Sequence, residues 1–272
     1  MAVDTQFYFD RAHLIELGRR HHEQYVNADP FPHIVIDNFL PPEVLTPVLK
    51  EFSVERSKEW INFHNAREIK LANNQDEIMG PHIRHLLAQF NSGLACQFIE
   101  ELTGIKGIIP DPYFWGGGQH QINPGGFLKI HADFNKHPKL GVHRRINLLI
   151  YLNEDWEESY GGHLELWDRD MKGCVQRILP VFNRCAVFST TSTSWHGHPE
   201  PLTCPEGRSR KSLALYYYTH ERPEDEVTSA HSTLFRERPG EDLSKKPPLG
   251  AKGLAKKFIP PILLDGWRFL KR

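Results

Sequence analysis

The triplet HAD at 131–133 places His131 and Asp133, two residue types that bind divalent metal ions, two positions apart. It closes the run 127–133, whose first five residues are typical of a strand. Residues i and i+2 of an extended strand project from the same face, so both side chains can reach one ion. With 16 histidines in the chain, a single triplet of this kind is weak evidence by itself.

A third candidate ligand lies in the motif SWHGHP at 194–199, which follows the strand-like run 185–189. Two histidines and one carboxylate leave three octahedral positions open on one face, as in non-haem iron(II) oxygenases. A structural zinc site would instead close its shell with four protein ligands. The spacing alone leaves open whether His196 or His198 is the ligand, because both can point inward from a strand.

Arg210 follows His196 by fourteen positions and opens the strand-like run RKSLALYYY at 210–218. An arginine at the start of a buried strand needs an anionic partner, and a dicarboxylate co-substrate offers one for a bidentate contact. Ser212 lies on the same strand face and adds a hydroxyl. The alternative is an arginine paired with one of the chain's own carboxylates.

These residues fall in a part of the chain that is rich in short strand-like runs. The runs are separated by turn residues at 153–155, at 161–162 and at Asn183, for which a left-handed turn conformation is expected. The predicted strands are residues 127–131, 146–152, 163–167, 175–179, 185–189 and 212–219. Many short strands with regular turns indicate a sandwich or a barrel.

The first 110 residues have a different texture. Helical periodicity is expected at 12–22, at 43–52 and, without interruption, from Pro81 to Thr103, where Gly104 stops the helix. A β-branched strand is expected at 33–37. We therefore expect helices and one strand ahead of the barrel.

The stretch from about Phe114 to Thr219 resembles the prolyl-4-hydroxylase-like branch of the iron(II)/2-oxoglutarate-dependent dioxygenases. The matching motifs occur in that family's order, and the opening IVIDNFLPP at 34–42 also looks like its strand-helix start. The motifs are GFLKIHAD (126–133), RINLLIYLN (145–153), GGHLEL (161–166), PVFNRCAVF (180–188), HGHP (196–199) and RKS (210–212). The resemblance implies an α+β, mainly β chain whose double-stranded β-helix, a jelly-roll or cupin-like barrel, carries N-terminal helices packed on it.

The resemblance also implies a role for each matching residue. The metal ligands, which are also the catalytic residues, would be His131, Asp133 and His196, because the family's pattern has the first histidine of HGHP as the ligand. His198 would then be a hydrogen-bonding neighbour of the site or a polar core residue. The co-substrate contacts would be Arg210, Ser212, Tyr151 and Gln121.

The implied reaction is a 2-oxoglutarate-dependent hydroxylation of an unactivated carbon. Iron(II), 2-oxoglutarate and O₂ are the implied cofactor and co-substrates, with ascorbate as an accessory reductant, and succinate and CO₂ are released. The substrate would be an amino acid, a peptide or protein, or a small metabolite. Two alternatives are a non-catalytic barrel that binds a metal or ligand, and a cupin-like metal enzyme that does not use 2-oxoglutarate.

The segment 134–144, which follows the HAD triplet, is basic and interrupted by Pro138 and Gly141. We interpret it either as a substrate loop or as a solvated connector. As a substrate loop it would favour an anionic molecule, through the cations Lys136, Lys139, Arg144 and Arg145.

The composition limits the partners and the location. The formal charge of the 272 residues is −1, so no global field favours nucleic acid. No apolar run is long enough for a transmembrane segment, and the first residues do not resemble a secretory signal. Four scattered cysteines without CxxC spacing favour reduced thiols in a cytoplasmic protein. The sequence does not indicate the oligomeric state.

Three parts of the chain are expected. Residues 1–110 would support the barrel, residues 111–222 would form the catalytic core, and residues 223–272 would form a C-terminal extension. From Ser244 the extension carries six lysines and two arginines against one acidic residue, Asp265, together with apolar residues. It is either packed on the body with a solvated basic face or binds an anionic surface.

Overall fold

The computed structural model describes residues 7–52 and 59–243. Its helices are α1 (Arg11–Val26), α2 (Pro42–Lys50), α3 (Pro81–Phe90) and α4 (Gly93–Thr103). Its strands are β1 (His33–Ile36), β2 (Ile61–His64), β3 (Glu68–Asn73), β4 (Ile109–Pro110), β5 (Gly118–Ile122), β6 (Phe127–Ala132), β7 (His143–Tyr151), β8 (Leu164–Trp167), β9 (Cys174–Ile178), β10 (Cys185–Ser189), β11 (His196–His198), β12 (Arg210–Thr219) and β13 (Leu234–Phe235). The basic tail predicted from Ser244 onward lies outside the described residues.

The strands form two antiparallel layers that meet at β3. One layer has the order β1-β10-β7-β12-β5-β3, and the other continues from β3 as β6-β11-β8-β9. β3 pairs with both β5 and β6, so the hydrogen-bonded path passes from one layer into the other. The expected jelly-roll barrel is confirmed.

Alternation along β7 and β12 separates the main core from the barrel interior. Ile146, Leu148 and Ile150 of β7 belong to the same buried apolar cluster as the helices, with Leu213 and Leu215 of β12. Because successive strand residues face opposite sides, the residues between them turn into the barrel. The helices therefore cover the outer face of this layer and leave its inner face for the functional site.

The single helix expected from Pro81 to Thr103 is wrong, because two helices occupy this segment. α3 ends at Phe90, and the side chain of Asn91 donates to the Asp111 carbonyl at 3.0 Å. Ser92 then starts α4, where its hydroxyl accepts from the Ala95 amide at 3.3 Å. The predicted end is confirmed, since Gly104 has a left-handed φ of 75°.

The β2–β3 hairpin is a feature that the sequence analysis did not predict. Its turn is fixed by Asn65, whose side-chain oxygen accepts from the amides of Arg67 and Glu68 at 2.8 and 3.1 Å. The alternation Ile61/Phe63 and the run 68–73 carried a strand signal. This hairpin contributes one wall of the site described below.

The other predicted strands are present with ends shifted by a few residues, and the predicted turn at Asn183 is confirmed. Asn183 has a φ of 60°, and its side chain donates to the Leu40 carbonyl and accepts from the Leu40 amide. This turn therefore ties the start of β10 to the N-terminal segment.

Within the described residues, no helix combines the length and the apolar character that crossing a membrane requires.

Candidate metal centre

His131, Asp133 and His196 converge because their strands are neighbours. His196 of β11 lies directly opposite His131 of β6, and Asp133 follows the end of β6. The Nε2 atoms of His131 and His196 lie 3.7 and 3.4 Å from the Asp133 carboxylate oxygens. One ligand atom from each residue lies within 4.8 Å of the other two, which is close enough for a single ion.

Both imidazoles are oriented by backbone carbonyls. Nδ1 of His131 lies 2.9 Å from the Lys129 carbonyl oxygen, and Nδ1 of His196 lies 2.9 Å from that of Ser194. Since a carbonyl oxygen only accepts, each Nδ1 must donate its proton. Each Nε2 therefore carries a free lone pair that is directed at the space between the three residues. This is the imidazole tautomer that a metal ligand needs.

Asp133 is held by Arg144 and Asn147. Its Oδ2 accepts from Asn147 Nδ2 at 2.7 Å and lies 3.1 Å from Arg144 Nη2. The Arg144 guanidinium also donates to Asn147 Oδ1 at 3.0 and 2.7 Å, and it lies between the rings of Phe134 and Tyr216. The carboxylate is fixed on one side, while its Oδ1 accepts no hydrogen bond from the described residues.

The interpretation of Arg144 as a substrate-loop cation needs correction. Arg144 and Arg145 are buried, whereas Lys136 and Lys139 are exposed. The loop itself is closed by His137, whose Nδ1 accepts from the amides of Lys139 and Leu140 at 3.1 Å. Of the four predicted cations only Arg144 lines the cavity described below, where its charge lies 3.1 Å from the Asp133 carboxylate.

The electrostatic environment gives the three residues the protonation states that a divalent ion requires. Burial, followed by the charge of His196, lowers the pKa of His131 to about 3. Burial also lowers the pKa of His196. Burial acts to raise the pKa of Asp133, but the charges of Arg144, His196 and His131 outweigh it and hold that pKa well below its usual range. At neutral pH the site therefore consists of two neutral imidazoles and one carboxylate.

The three residues line a cavity of about 480 Å³ that also contains Arg210 and Ser212. The Arg210 Nε donates to the Gly162 carbonyl at 2.7 Å, and its Nη2 donates to the Tyr151 hydroxyl at 3.3 Å. Within the described part of the chain Arg210 forms no salt bridge, so the alternative of an internal carboxylate partner finds no support. The guanidinium is a buried cation that still needs an anion.

The structure does not bring Gln121 to this cavity. On β5 the cavity-lining residues are His120 and Ile122, and Gln121 lies between them on the opposite face. Its side-chain nitrogen donates instead to the Ser209 hydroxyl at 3.1 Å. Tyr151, in contrast, reaches the Arg210 guanidinium, and His198 lines the cavity beside the three converging residues.

Sequence reasoning missed several residues that shape the site. Asn147 was part of a recognised strand motif, and its inward direction follows from strand alternation, but its bond to Asp133 depends on a contact between strands. Glu68 and Lys70 of the hairpin also line the cavity and form an ion pair at 3.1 Å. Their signal was the alternation of the hairpin strands.

Comparison with known proteins agrees with this geometry. The sequence profile of the 2OG-Fe(II) oxygenase superfamily matches residues 117–218. The chain is 26% identical over 200 residues to the mouse (Mus musculus) prolyl 3-hydroxylase OGFOD1, covering 71% of this chain and 34% of that protein. The chain thus spans about a third of the length of the curated relatives that it matches.

Two solved structures share the fold. A prolyl hydroxylase from Trichoplax adhaerens, in complex with a peptide fragment of a hypoxia inducible factor, superposes with a TM-score of 0.56 at 18% identity, covering 79% of this chain and 94% of that chain. HygX from Streptomyces hygroscopicus, with nickel, 2-oxoglutarate and hygromycin B bound, gives 0.51 at 11% identity, covering 79% and 96%. The profile match relates residues 117–218 to the 2OG-Fe(II) oxygenase superfamily, and the two solved structures show the fold that the chain shares with them.

Proposed function

We propose that the chain is an iron(II)- and 2-oxoglutarate-dependent dioxygenase that hydroxylates an unactivated carbon of its substrate. The observation that carries this proposal is the convergence of His131, Asp133 and His196 in the cavity that also holds Arg210, a buried cation without a carboxylate partner among the described residues. A metal site with only three protein ligands leaves positions for small molecules, and a buried guanidinium beside it favours a carboxylate.

The donor set fits iron(II). We assign the Nε2 atoms of His131 and His196 and Oδ1 of Asp133 as ligands, because these atoms are free of hydrogen bonds while the opposite side of each group is anchored. The described residues supply only these three ligands to the cluster, unlike the closed shell of a structural zinc site. When bound, iron(II) supplies the activation of O₂ that accompanies conversion of 2-oxoglutarate to succinate and CO₂.

We assign the far end of the co-substrate to Arg210, with Tyr151 and Ser212. The Tyr151 oxygen accepts from Arg210, so its own proton is available to donate to a carboxylate. Ser212 is buried in the same cavity wall, next to Tyr151 across the β12–β7 pair. Gln121 is not assigned a role because its side chain faces away from this cavity.

The substrate enters the cavity from the side that is formed by the β2–β3 hairpin and by β13. Ile61, Phe63, Trp115 and Phe235 give this side an apolar and aromatic lining. Relatives named as prolyl hydroxylases support an amino-acid or peptide substrate. Glu68 and Lys70 add an ion pair to this lining, which offers the substrate one group of each charge.

We retain the three-part division at 110 and 222 and a cytoplasmic location as parts of the proposal. The strand pairing supports a barrel core that includes β5 to β12. The first part of the chain adds β1 at one edge and β3 between β5 and β6. The four cysteines are free thiols in the structure, which suits a reducing compartment.

Spectroscopy under anaerobic conditions tests the proposal. Addition of iron(II) and then 2-oxoglutarate is expected to produce a weak visible charge-transfer band that is absent in His131→Ala. The matched control is His13→Ala, which removes an exposed histidine of α1 and should leave the band intact. Iron binding without any band would favour a cupin-like enzyme that does not use 2-oxoglutarate. If the wild-type protein binds neither iron(II) nor 2-oxoglutarate, a non-catalytic barrel is favoured.

A further inference from the structure

His198 is a buried imidazole with two unused nitrogens. The side chain lines the cavity, the residue is only 4% exposed, and neither ring nitrogen has a hydrogen-bond partner within the described residues. Burying a polar group without a partner costs free energy, so such a group in a native structure calls for an explanation. A ligand that fills the cavity would supply the missing partner.

The position of His198 relates it to the far end of the cavity. It lies two residues after His196 on β11, and both residues line the cavity even though the pairing of β11 with β6 is irregular between them. Burial lowers the pKa of His198 well below its usual value, and Arg210 is the charge that adds most to this effect, ahead of Lys70 and His131. His198 and Arg210 line the same cavity, together with the three proposed metal ligands.

This end of the cavity offers mainly hydrogen-bond donors. Arg210 and Ser212 line the cavity, and the Arg210 Nη1 has no partner among the described residues. The Tyr151 hydroxyl contacts Nη2 of the same guanidinium. A neutral imidazole adds one more N–H donor. A carboxylate, with two acceptor oxygens and a negative charge, is the chemical group that such a set of donors fits.

We propose that His198 donates a hydrogen bond to the distal carboxylate of 2-oxoglutarate, jointly with Arg210. This inference rests on the proposed function, and it makes His198 a binding residue for the co-substrate. The same contact explains why a polar side chain occupies a buried position without a hydrogen-bond partner among the described residues.

Ligand binding to the manganese(II)-loaded protein in the absence of turnover tests the inference. Calorimetry would measure the dissociation constants of 2-oxoglutarate and of 2-oxopentanoate, which has the same chelating end but lacks the distal carboxylate. In His198→Leu we expect about a tenfold or greater loss of 2-oxoglutarate affinity, the size of a hydrogen bond to a charged group. The affinities for 2-oxopentanoate and for manganese(II) should not change.

A second variant separates the hydrogen bond from the shape of the ring. His198→Gln keeps an N–H donor, so it should recover part of the affinity that His198→Leu loses for 2-oxoglutarate. Thermal unfolding without ligand should give His198→Leu a midpoint equal to or above that of the wild type, because the variant removes an unpaired polar group.

The outcomes distinguish the inference from the proposed function. If the wild-type protein binds manganese(II) but not 2-oxoglutarate, the proposed function itself fails. If 2-oxoglutarate binds equally well to the wild type and to His198→Leu, only the role of His198 is overturned. The role of His198 would also be overturned if His198→Leu lost affinity equally for 2-oxoglutarate and 2-oxopentanoate. It would likewise be overturned if His198→Gln recovered none of the affinity for 2-oxoglutarate.

Discussion

Asn147 links the proposed ligand Asp133 to the opposite layer of the barrel. Its amide nitrogen donates to Asp133 and its oxygen accepts from Arg144, so one side chain orders both members of the ion pair. In Asn147→Leu we expect metal affinity to fall about 10- to 100-fold, as is typical when a residue that orients a ligand is lost. Manganese(II) titration followed by electron paramagnetic resonance would measure this change.

The matched control is Asn62→Ala, which removes an exposed amide of β2. Its metal affinity should equal that of the wild type. An unchanged affinity in Asn147→Leu would show that Arg144 alone is sufficient to position Asp133.

Tyr151 and Tyr218 offer a matched pair of variants that tests the proposed binding of the distal carboxylate of 2-oxoglutarate. Both are fully buried, but the Tyr151 hydroxyl contacts Arg210, whereas the Tyr218 hydroxyl has no partner within the described residues. Tyr151→Phe should weaken 2-oxoglutarate binding about tenfold, because it removes a donor to a carboxylate. Tyr218→Phe should leave that affinity unchanged, and calorimetry on the manganese(II)-loaded proteins compares the two. Equal affinities in both variants would remove Tyr151 from the proposed binding set.

The approach of β11 to β6 depends on Gly197. A Cβ atom at this position would lie 2.8 Å from the Leu128 carbonyl oxygen and 2.9 Å from that of Lys129, and neither backbone atom can move freely. Gly197→Ala should therefore push β11 away from β6 and separate His196 from His131. We expect roughly 1–3 kcal/mol less free energy of unfolding, typical of overpacking, and weaker metal binding.

Gly93 of α4 provides the control for this substitution. A Cβ atom there would have no neighbour within 4 Å. Gly93→Ala should keep the metal affinity and stabilise the fold by about 0.4–1 kcal/mol, because alanine restricts the unfolded chain. Chemical denaturation measures both variants, and a stable Gly197→Ala protein with normal metal binding would contradict the packing argument.

Local patterns in the sequence predicted most of the strands, and the reason is visible in β7 and β12. Their runs of β-branched, apolar and aromatic residues mark strands whose alternate residues face a core on one side and the cavity on the other. The break between α3 and α4 was missed because it depends on a contact between Asn91 and Asp111, which are 20 positions apart. Helical periodicity across 81–103 does not contain that information.

The same distinction applies to the site. The convergence of His131, Asp133 and His196 could be predicted, since strand order in the resemblance places β6 beside β11. Gln121 could not be placed reliably, because a shift of one residue in strand alignment turns a side chain to the opposite face. The partners of Asp133 could not be predicted either, because its contacts with Asn147 and Arg144 depend on how β7 lies opposite the end of β6.

The barrel joins its two layers through the ligands that we propose it binds. The metal would connect β6 and β11 of one layer, and a bound dicarboxylate would extend from the metal to Arg210 of the other. Each ligand should therefore stabilise the folded chain, and the pair should bind with positive coupling, because 2-oxoglutarate contacts both the metal and the protein.

Thermal unfolding tests this coupling on the full chain. At a manganese(II) concentration 100 times the dissociation constant, the stabilisation is about 2.7 kcal/mol, which corresponds to a midpoint raised by roughly 5–10 °C. Adding 2-oxoglutarate should raise the midpoint further when the metal is present and much less when it is absent. In His131→Ala, manganese(II) and 2-oxoglutarate should both fail to raise the midpoint. In Arg210→Met, manganese(II) should still raise the midpoint, but 2-oxoglutarate should not raise it further. A full 2-oxoglutarate shift in Arg210→Met would mean that the second layer takes no part in holding the co-substrate.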